Sequence, residues 1–191
     1  GLPLALEEIR FYPNPFALLP IGGSPALGGS FKAEAYKSQI RGSLSSGENL
    51  SLQLETESMD LARFQPLAQS GVDLKGVINT FFLQLSLQNQ RLSAADGSVN
   101  LKAKNIVFDP SALGLPVALP VLNLGDVEIS GQISRGQLKL EKFKVGSPGK
   151  DLELQIPTGL IVLSDVTPNT RYDLRLHIKP SAAVEKAVPG L

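Results

Sequence analysis

The strongest constraint on the fold is a short alternating pattern that carries a glycine and recurs along the chain. It occurs at Val72–Asn79, returns at Val127–Ser134 and has a weaker relative at Ile40–Ser45. Apolar residues and the glycine share one phase in each copy, which predicts half-buried strands that bend or approach another backbone closely. The three glycines, which we expect on the concave side, are Gly42, Gly76 and Gly131. Because their spacing is uneven, we predict one continuous sheet with two unequal halves and not a strict solenoid.

Composition excludes several classes of protein. The chain has 191 residues, enough for one domain with a substantial core, and 42% of them are hydrophobic. Lys and Arg number 18, as do Asp and Glu, and this balance argues against a nucleic-acid partner. Cysteine is absent, which excludes disulfides and cysteine-based metal sites. We expect the sequence to be an excised piece of a longer protein whose targeting or membrane segment has been removed.

The first part of the chain predicts a short strand, a loop and a hairpin-like pair. Leu4–Phe11 reads as the first strand, and the Pro- and Gly-rich residues 13–29 read as a loop, with a binding loop as the alternative. Phe31–Leu44 is predicted to be one strand that pairs with Asn49–Glu57. Asp60 is a plausible N-cap for the helical turn that follows it.

The middle of the chain predicts a long strand, a turn and a linking segment. Val72–Asn89 alternates as a strand, and Ala95–Ser98 reads as a turn. Residues 109–120 contain three prolines and predict an irregular link or a short helix. We treat 1–191 as a single β domain. Two unequal repeats, 1–108 and 121–180, joined by that link, are the alternative organisation.

From Leu122 onward the alternation predicts an antiparallel meander. The apolar phase slips near Glu141–Lys142, which indicates a bulge. Ser181 is placed as the cap of a last helix, Ala182–Val188. One leucine-rich face and one polar face run along these strands, so Leu174 is expected to be buried.

These patterns together predict the fold class. It is mainly β: a strongly bent antiparallel sheet, half-barrel or β-taco-like, with one or two short helices. A long sheet with one apolar face must fold over, close on itself or receive something against that face. The predicted helices are too few to cover it, which favours a bent or half-closed sheet with an apolar inside.

The side chains do not predict catalysis. His177, the only histidine, lies in the polar phase of its strand, and no nucleophile elbow occurs. We therefore predict no catalytic, cofactor-binding or metal-binding residues and no enzyme activity. A carboxylate pair formed across strands stays open as an alternative, with Glu7–Glu8 and Glu55–Glu57 as the nearest clusters.

Three further charged groups receive structural interpretations. Asp109 and Asp165 lie in turn-like contexts that local hydrogen bonding explains. The basic run Lys139–Lys144 is diluted by Glu141 and reads as a solvated strand face. A contact with anionic lipid headgroups is its alternative reading.

Five stretches of the chain carry a family resemblance. They are Gly97–Lys102, Leu122–Gly131, Gly136–Leu140, Asp151–Leu163 and the closing strand Tyr172–Pro180. These strands resemble protein N of the bacterial type II secretion system (GspN) and, more distantly, are similar to the AsmA-like envelope proteins. The resemblance covers roughly residues 31–180.

The resemblance implies a location and two functions. It implies the periplasmic domain of an inner-membrane protein, anchored by an N-terminal helix. Its role would be a non-catalytic, accessory one in protein export, through contacts with other type II secretion subunits. The AsmA-like kinship implies the alternative, an apolar groove that binds or transfers lipid or another hydrophobic cargo. No catalytic residues come with either family.

Overall fold

The fold is mainly β and is built on one antiparallel sheet. The computed structural model describes residues 6–13, 27–35, 38–63, 73–111 and 120–187. Ten strands in this part of the chain lie in sequential order, each paired with the next. They are β1 (Leu6–Pro13), β2 (Leu27–Ala35), β3 (Ser38–Ser46), β4 (Leu50–Asp60), β5 (Asp73–Leu87), β6 (Ala95–Asp109), β7 (Leu122–Ser134), β8 (Gln137–Val145), β9 (Leu152–Val162) and β10 (Arg171–Pro180).

Helical structure is sparse. The described residues contain one α-helix, α1 (Ala182–Ala187), and four single-turn 3-10 helices. The 3-10 helices are Leu61–Arg63, Gln88–Gln90, Leu92–Ala94 and Thr167–Asn169. No pairing joins β1 to β10 among the described residues, so the sheet is not closed. The predicted class, a mainly β antiparallel sheet with little helix, is confirmed.

The prediction of one strand over Phe31–Leu44 is wrong, because β2 and β3 form a hairpin there. Their register runs from Ala35↔Ser38 to Leu27↔Ser46. The apolar phase changes across the reversal, since Phe31 and Ala33 are odd-numbered whereas the following apolar residues, Ile40 and Leu44, are even-numbered. Residues 36 and 37, between the two strands, lie outside the described part of the chain.

The predicted turn at Ala95–Ser98 is also wrong. These residues begin β6, and the reversal lies earlier, in the two 3-10 helices between β5 and β6. Gly97 stands opposite Leu85 on one side and Ile133 on the other. A Cβ atom at Gly97 would collide with the carbonyl oxygen of Gln84. This glycine therefore permits a close approach of two backbones inside the sheet and does not form a turn.

The phase slip in β8 is a bulge, as predicted. Ser130 pairs with Lys142, whereas the next residue, Gly131, pairs with Leu140. Glu141 is the extra residue on β8, and the slip returns the later apolar side chains of the strand to the common face.

Two predicted helix caps are confirmed. The Asp60 carboxylate accepts a hydrogen bond from the Ala62 backbone N–H at 3.1 Å. The Ser181 hydroxyl accepts one from the Val184 N–H at 3.4 Å at the start of α1. Both contacts satisfy N–H groups that the first helical turn leaves without an intrahelical partner.

Two predicted loops fall largely outside the described residues. These are the segment 13–29, of which 14–26 are not described, and the link 109–120, of which 112–119 are not described. On either side of the link, β6 pairs directly with β7 from Phe108↔Leu122 onward. The sheet is thus continuous across the predicted boundary, and the two-repeat organisation stays a prediction.

Nine of the thirteen buried apolar residues in the described part of the chain form two clusters, at opposite ends of the strands. The first core cluster contains Leu61, Ala103, Ile106, Leu122, Leu124 and Val184. The second core cluster contains Leu87, Ala95 and Ile133. Because Ala95 begins β6 and Ile106 lies near its end, the two clusters lie a strand length apart. Val184 places α1 over the first cluster.

Glycines on the apolar face stand beside large side chains on neighbouring strands. Gly159 pairs with Leu140 on one side and Leu174 on the other. A Cβ at Gly159 would lie 2.9 Å from a methyl of each leucine. At Gly131 a Cβ would lie 2.8 Å from the Lys139 carbonyl oxygen, a backbone atom that cannot rotate away. These glycines make room for their neighbours within a single layer.

We predict that Gly131→Ala lowers the free energy of unfolding by about 1–3 kcal/mol, because the added methyl overpacks against backbone. The matched control is Gly28→Ala, since a Cβ at Gly28 would have its nearest contact at an ordinary 3.4 Å. Urea unfolding followed by circular dichroism measures both variants. Equal stability of the two would contradict the packing assigned to Gly131.

The expectation that Leu174 is buried is wrong, although its side chain lies on the expected face. It lies on the apolar face, opposite Gly159, but it is 39% exposed because β10 is the last strand. We therefore predict that Leu174→Asp changes the stability of the monomer little, whereas Ile106→Asp destabilises it by at least about 3 kcal/mol. Ile106 is only 3% exposed, so its replacement buries an unpaired charge. Thermal melts at low protein concentration check both variants.

Candidate functional site

The central part of the apolar face is the leading candidate for a binding surface. The ladder places Leu54 opposite Leu83 and Leu83 opposite Val99, so like side chains form continuous rows. We define the central band as Leu54, Phe81, Leu83, Val99, Leu101, Ile129 and Phe143. Every member is only half-buried, and the band lies between the two core clusters.

The dimensions of the central band follow from strand geometry. Ile78 packs on the first core cluster and Leu85 on the second. At about 3.3 Å per residue, the stretch between them on β5 spans roughly 23 Å. The band crosses from β4 to β8, about 19 Å at roughly 4.8 Å per strand spacing. Every side chain of this strip keeps part of its apolar surface exposed, and contiguous exposed apolar surface is typical of binding sites.

The apolar face becomes more exposed towards the last strand. Nine large hydrophobic residues in the described part of the chain are exposed, and β10 supplies four of them. These are Tyr172 at 66%, Leu174 at 39%, Leu176 at 49% and Ile178 at 47%. Within the described residues β10 pairs only with β9, so its other edge is free.

The opposite face of the sheet is polar and carries interspersed charges. Glu128 lies between Lys102 and Lys144 in one row and forms ion pairs with Lys102 and Lys142. The hydrogen bond from Lys142, aided by both lysine charges, lowers the pKa of the Glu128 carboxyl. Part of the predicted basic run is thus balanced within the sheet.

Among the described side chains, the sequence-predicted polar groups are not brought together into a site, and the side chains of Glu7 and Glu8 lie outside that described set. His177 is exposed and stands opposite Gln155 on the polar face. Glu55 pairs with Arg41 at 3.8 Å. Among the described residues no group of three or more His, Asp or Glu side chains is placed to hold a metal ion.

Two buried hydroxyls are used within the sheet. The Ser38 and Thr56 side-chain oxygens lie 2.9 Å apart. Ser38 also donates to the Glu57 carbonyl at 2.7 Å, and Thr56 donates to the Gln39 carbonyl at 3.1 Å. Both hydroxyl protons are thus donated to backbone carbonyls of β3 and β4.

A hollow of about 630 Å³ lies where the ladder between β8 and β9 is interrupted. Pairing stops after Leu140↔Gly159 and resumes at Lys144↔Gln155. Pro157 lies in this gap and has no N–H to donate, and the Glu141 bulge faces it. The polar groups lining the hollow carry both signs of charge: Lys139, Glu141, Asp173 and Arg175.

Beside the second core cluster, hydrogen bonds join the segment before β6 to the segment before β10. The three residues involved, which we name the loop latch, are Arg91, Ser93 and Asp165. The Asp165 carboxylate accepts hydrogen bonds from the Ser93 N–H (3.1 Å), the Ser93 hydroxyl (2.8 Å) and the Arg91 side chain (3.0 Å). The interpretation of Asp165 as a locally bonded turn residue is therefore wrong. These hydrogen bonds lower the pKa of Asp165 to about 2, and the bond from the Ser93 backbone N–H has the largest effect.

The loop latch predicts an acid-sensitive contribution to stability. Because the folded-state pKa of Asp165 lies below its ordinary 3.8, the latch stabilises the fold above pH 3.8 and weakens as the pH falls towards 2. We predict that Asp165→Asn has a lower Tm than wild type at pH 7 and that the two values converge near pH 2. The control is Glu48→Gln, an exposed carboxylate with no partner in the described residues. A Tm difference independent of pH would contradict this assignment.

These features define a class: a mainly β domain whose single open sheet keeps one apolar face half-exposed. Comparison with known proteins finds no matching family model, no similar curated protein and no similar solved structure. No helix in the described ranges is long and apolar enough to cross a membrane.

Proposed function

We propose that this chain is a non-catalytic, periplasmic binding domain of the bacterial envelope that holds a lipid or similar hydrophobic molecule against the central band. The observation that carries the proposal is the half-exposure of that band between two buried clusters. A protein that needed this face only for stability would gain by covering it, because burying apolar surface is favourable. The resemblance to AsmA-like proteins implies the same use.

The chemistry of the band fits a hydrocarbon chain. Its side chains are aliphatic apart from Phe81 and Phe143. One row is continuous over four strands, from Phe81 to Phe143, and the other runs from Leu54 to Val99 and ends at Gly131. Each methylene moved from water onto such a surface contributes about 0.8 kcal/mol. Ten methylenes that are half covered would supply about 4 kcal/mol, so a long acyl chain is needed for stable binding.

Lipid extraction and native mass spectrometry of the purified chain test this proposal. We expect a copurifying hydrophobic molecule and saturable binding of a fluorescent fatty acid. Leu83→Gln, in the middle of the band, should weaken the binding of that fatty acid about tenfold or more, since it removes about 1.4 kcal/mol or more of apolar contact. The matched control is Gln84→Ala, the next residue, which points to the polar face.

Two results would count against hydrophobic binding. One is a ligand-free mass spectrum together with no saturable fatty-acid binding. The other is equal affinity of Leu83→Gln and Gln84→Ala when both variants melt like wild type. In the second case any bound lipid would lie elsewhere on the protein.

A second candidate function is an accessory role in type II secretion, through contacts with other subunits of that system. The observation that favours it is the open sheet, because β1 and β10 each have one edge without a partner strand among the described residues. Such edges can pair with strands of another protein. Affinity purification from bacterial envelope extract tests this role, and failure to recover any secretion subunit would contradict it.

A further inference from the structure

We propose that the free edge of β10 pairs with β10 of a second copy of this chain, so that two sheets continue into one. Every residue from Arg171 to Lys179 is exposed, although all of them belong to a regular strand. One edge of the strand pairs with β9, and the other has no partner strand in the described part of the chain. The proposal goes beyond the proposed function and does not depend on lipid binding.

Helix α1, in the described part of the chain after β10, leaves this edge accessible. Helix α1 begins two residues after the strand ends, and its Val184 belongs to the first core cluster. The other members of that cluster include Leu122 and Leu124 of β7. The helix therefore turns back over the sheet, towards its middle and away from the outer edge of β10.

The charges on β10 are available to a partner. Arg171, Asp173 and Arg175 form no ion pair within the described residues, whereas Lys179 pairs with Glu153 at 3.5 Å. All of these residues lie on the polar face, and the four exposed apolar residues of β10 lie on the other face. A strand that pairs with this edge must therefore place apolar residues on the apolar face and complementary charges on the polar face.

Self-pairing about a two-fold axis through Leu174 matches both faces and also brings opposite charges together near the middle of the strand. With the axis through Leu174, Asp173 of each copy stands opposite Arg175 of the second copy, and Tyr172 stands opposite Leu176. The two Asp–Arg pairs flank the axis, and opposite charges across strands stabilise a pair. An axis through Asp173 or through Arg175 instead places like charges directly opposite each other, which is destabilising.

An axis through Leu176 also matches the two faces, and it fits less well. It places Asp173 opposite Lys179, which already pairs with Glu153. It also places Tyr172 opposite Pro180, which has no N–H and leads directly into α1. The register centred on Leu174 instead brings together Asp173 and Arg175, two charges that have no ion-pair partner among the described residues.

The absence of cysteine from the chain allows a clean crosslinking test. Residues opposite each other in an antiparallel pair have Cα atoms about 4.5–5.5 Å apart, within the range that a disulfide spans. We expect Leu174→Cys to form a disulfide-linked dimer on mild oxidation. Leu176→Cys, two residues away and somewhat more exposed (49% against 39%), is the matched control and should not crosslink. Crosslinking of Leu176→Cys in preference to Leu174→Cys overturns the register.

Charge reversal tests the same interface without a covalent bond. Sedimentation of the wild-type chain should show a monomer–dimer equilibrium, and Asp173→Arg should weaken it about tenfold or more. The double variant Asp173→Arg/Arg175→Asp restores opposite charges across the axis and should restore the dimer. A monomeric wild type over the whole concentration range, or no rescue by the double variant, overturns the proposal. Fatty-acid binding measured on the same samples shows separately whether the proposed function holds.

Discussion

The fold depends on one constraint: a single-layer sheet must keep water from its apolar face. Among the described residues, no second layer covers the middle of that face. Most β domains solve this by packing a second sheet or helices onto the face. Here the described residues supply cover only at the two ends: α1 and a 3-10 helix at the first core cluster, and the loop latch at the second. The face between them is stabilised within the layer itself, by contacts from strand to strand.

Those contacts explain why glycines recur in the apolar phase. A row that passes from Leu140 through Gly159 to Leu174 lets two large side chains lean over a residue that has none. This arrangement also defines the register, because a one-residue slip would move every leucine to the polar face. The bulge at Glu141 is consistent with this, since it restores the common phase of β8 after Leu140. The glycines in the apolar phase are therefore explained by side-chain packing within a single-layer sheet.

Local signals in the sequence were sufficient for the meander, the Glu141 bulge and the caps at Asp60 and Ser181, because each depends on neighbours along the chain. The failures share a different cause. The hairpin of β2 and β3 is marked only by a change of phase, and Gly97 is needed because of a carbonyl on another strand. Asp165 bonds to Ser93, 72 residues away, which no local pattern records. The apolar face of the candidate site was predictable in the same way, but its exposure was not, since alternation does not reveal what lies above a strand.

The charges on β10 bear on whether its free edge prevents association or pairs with a second copy of the chain. Natural edge strands avoid association by carrying charges, lysine above all, that repel a second copy. Arg171, Arg175 and Lys179 alone would give β10 such a repulsive edge. Asp173 interrupts that series at the one position that meets Arg175 when the strand pairs with itself about Leu174, and Asp173 has no ion-pair partner of its own among the described residues. A self-pairing edge gains from this reversal of sign, because opposite charges then face each other across the two strands. Pairing there would also extend the rows of the apolar face from one copy into the next, so the same strand would lengthen the apolar surface that we propose binds a hydrocarbon chain.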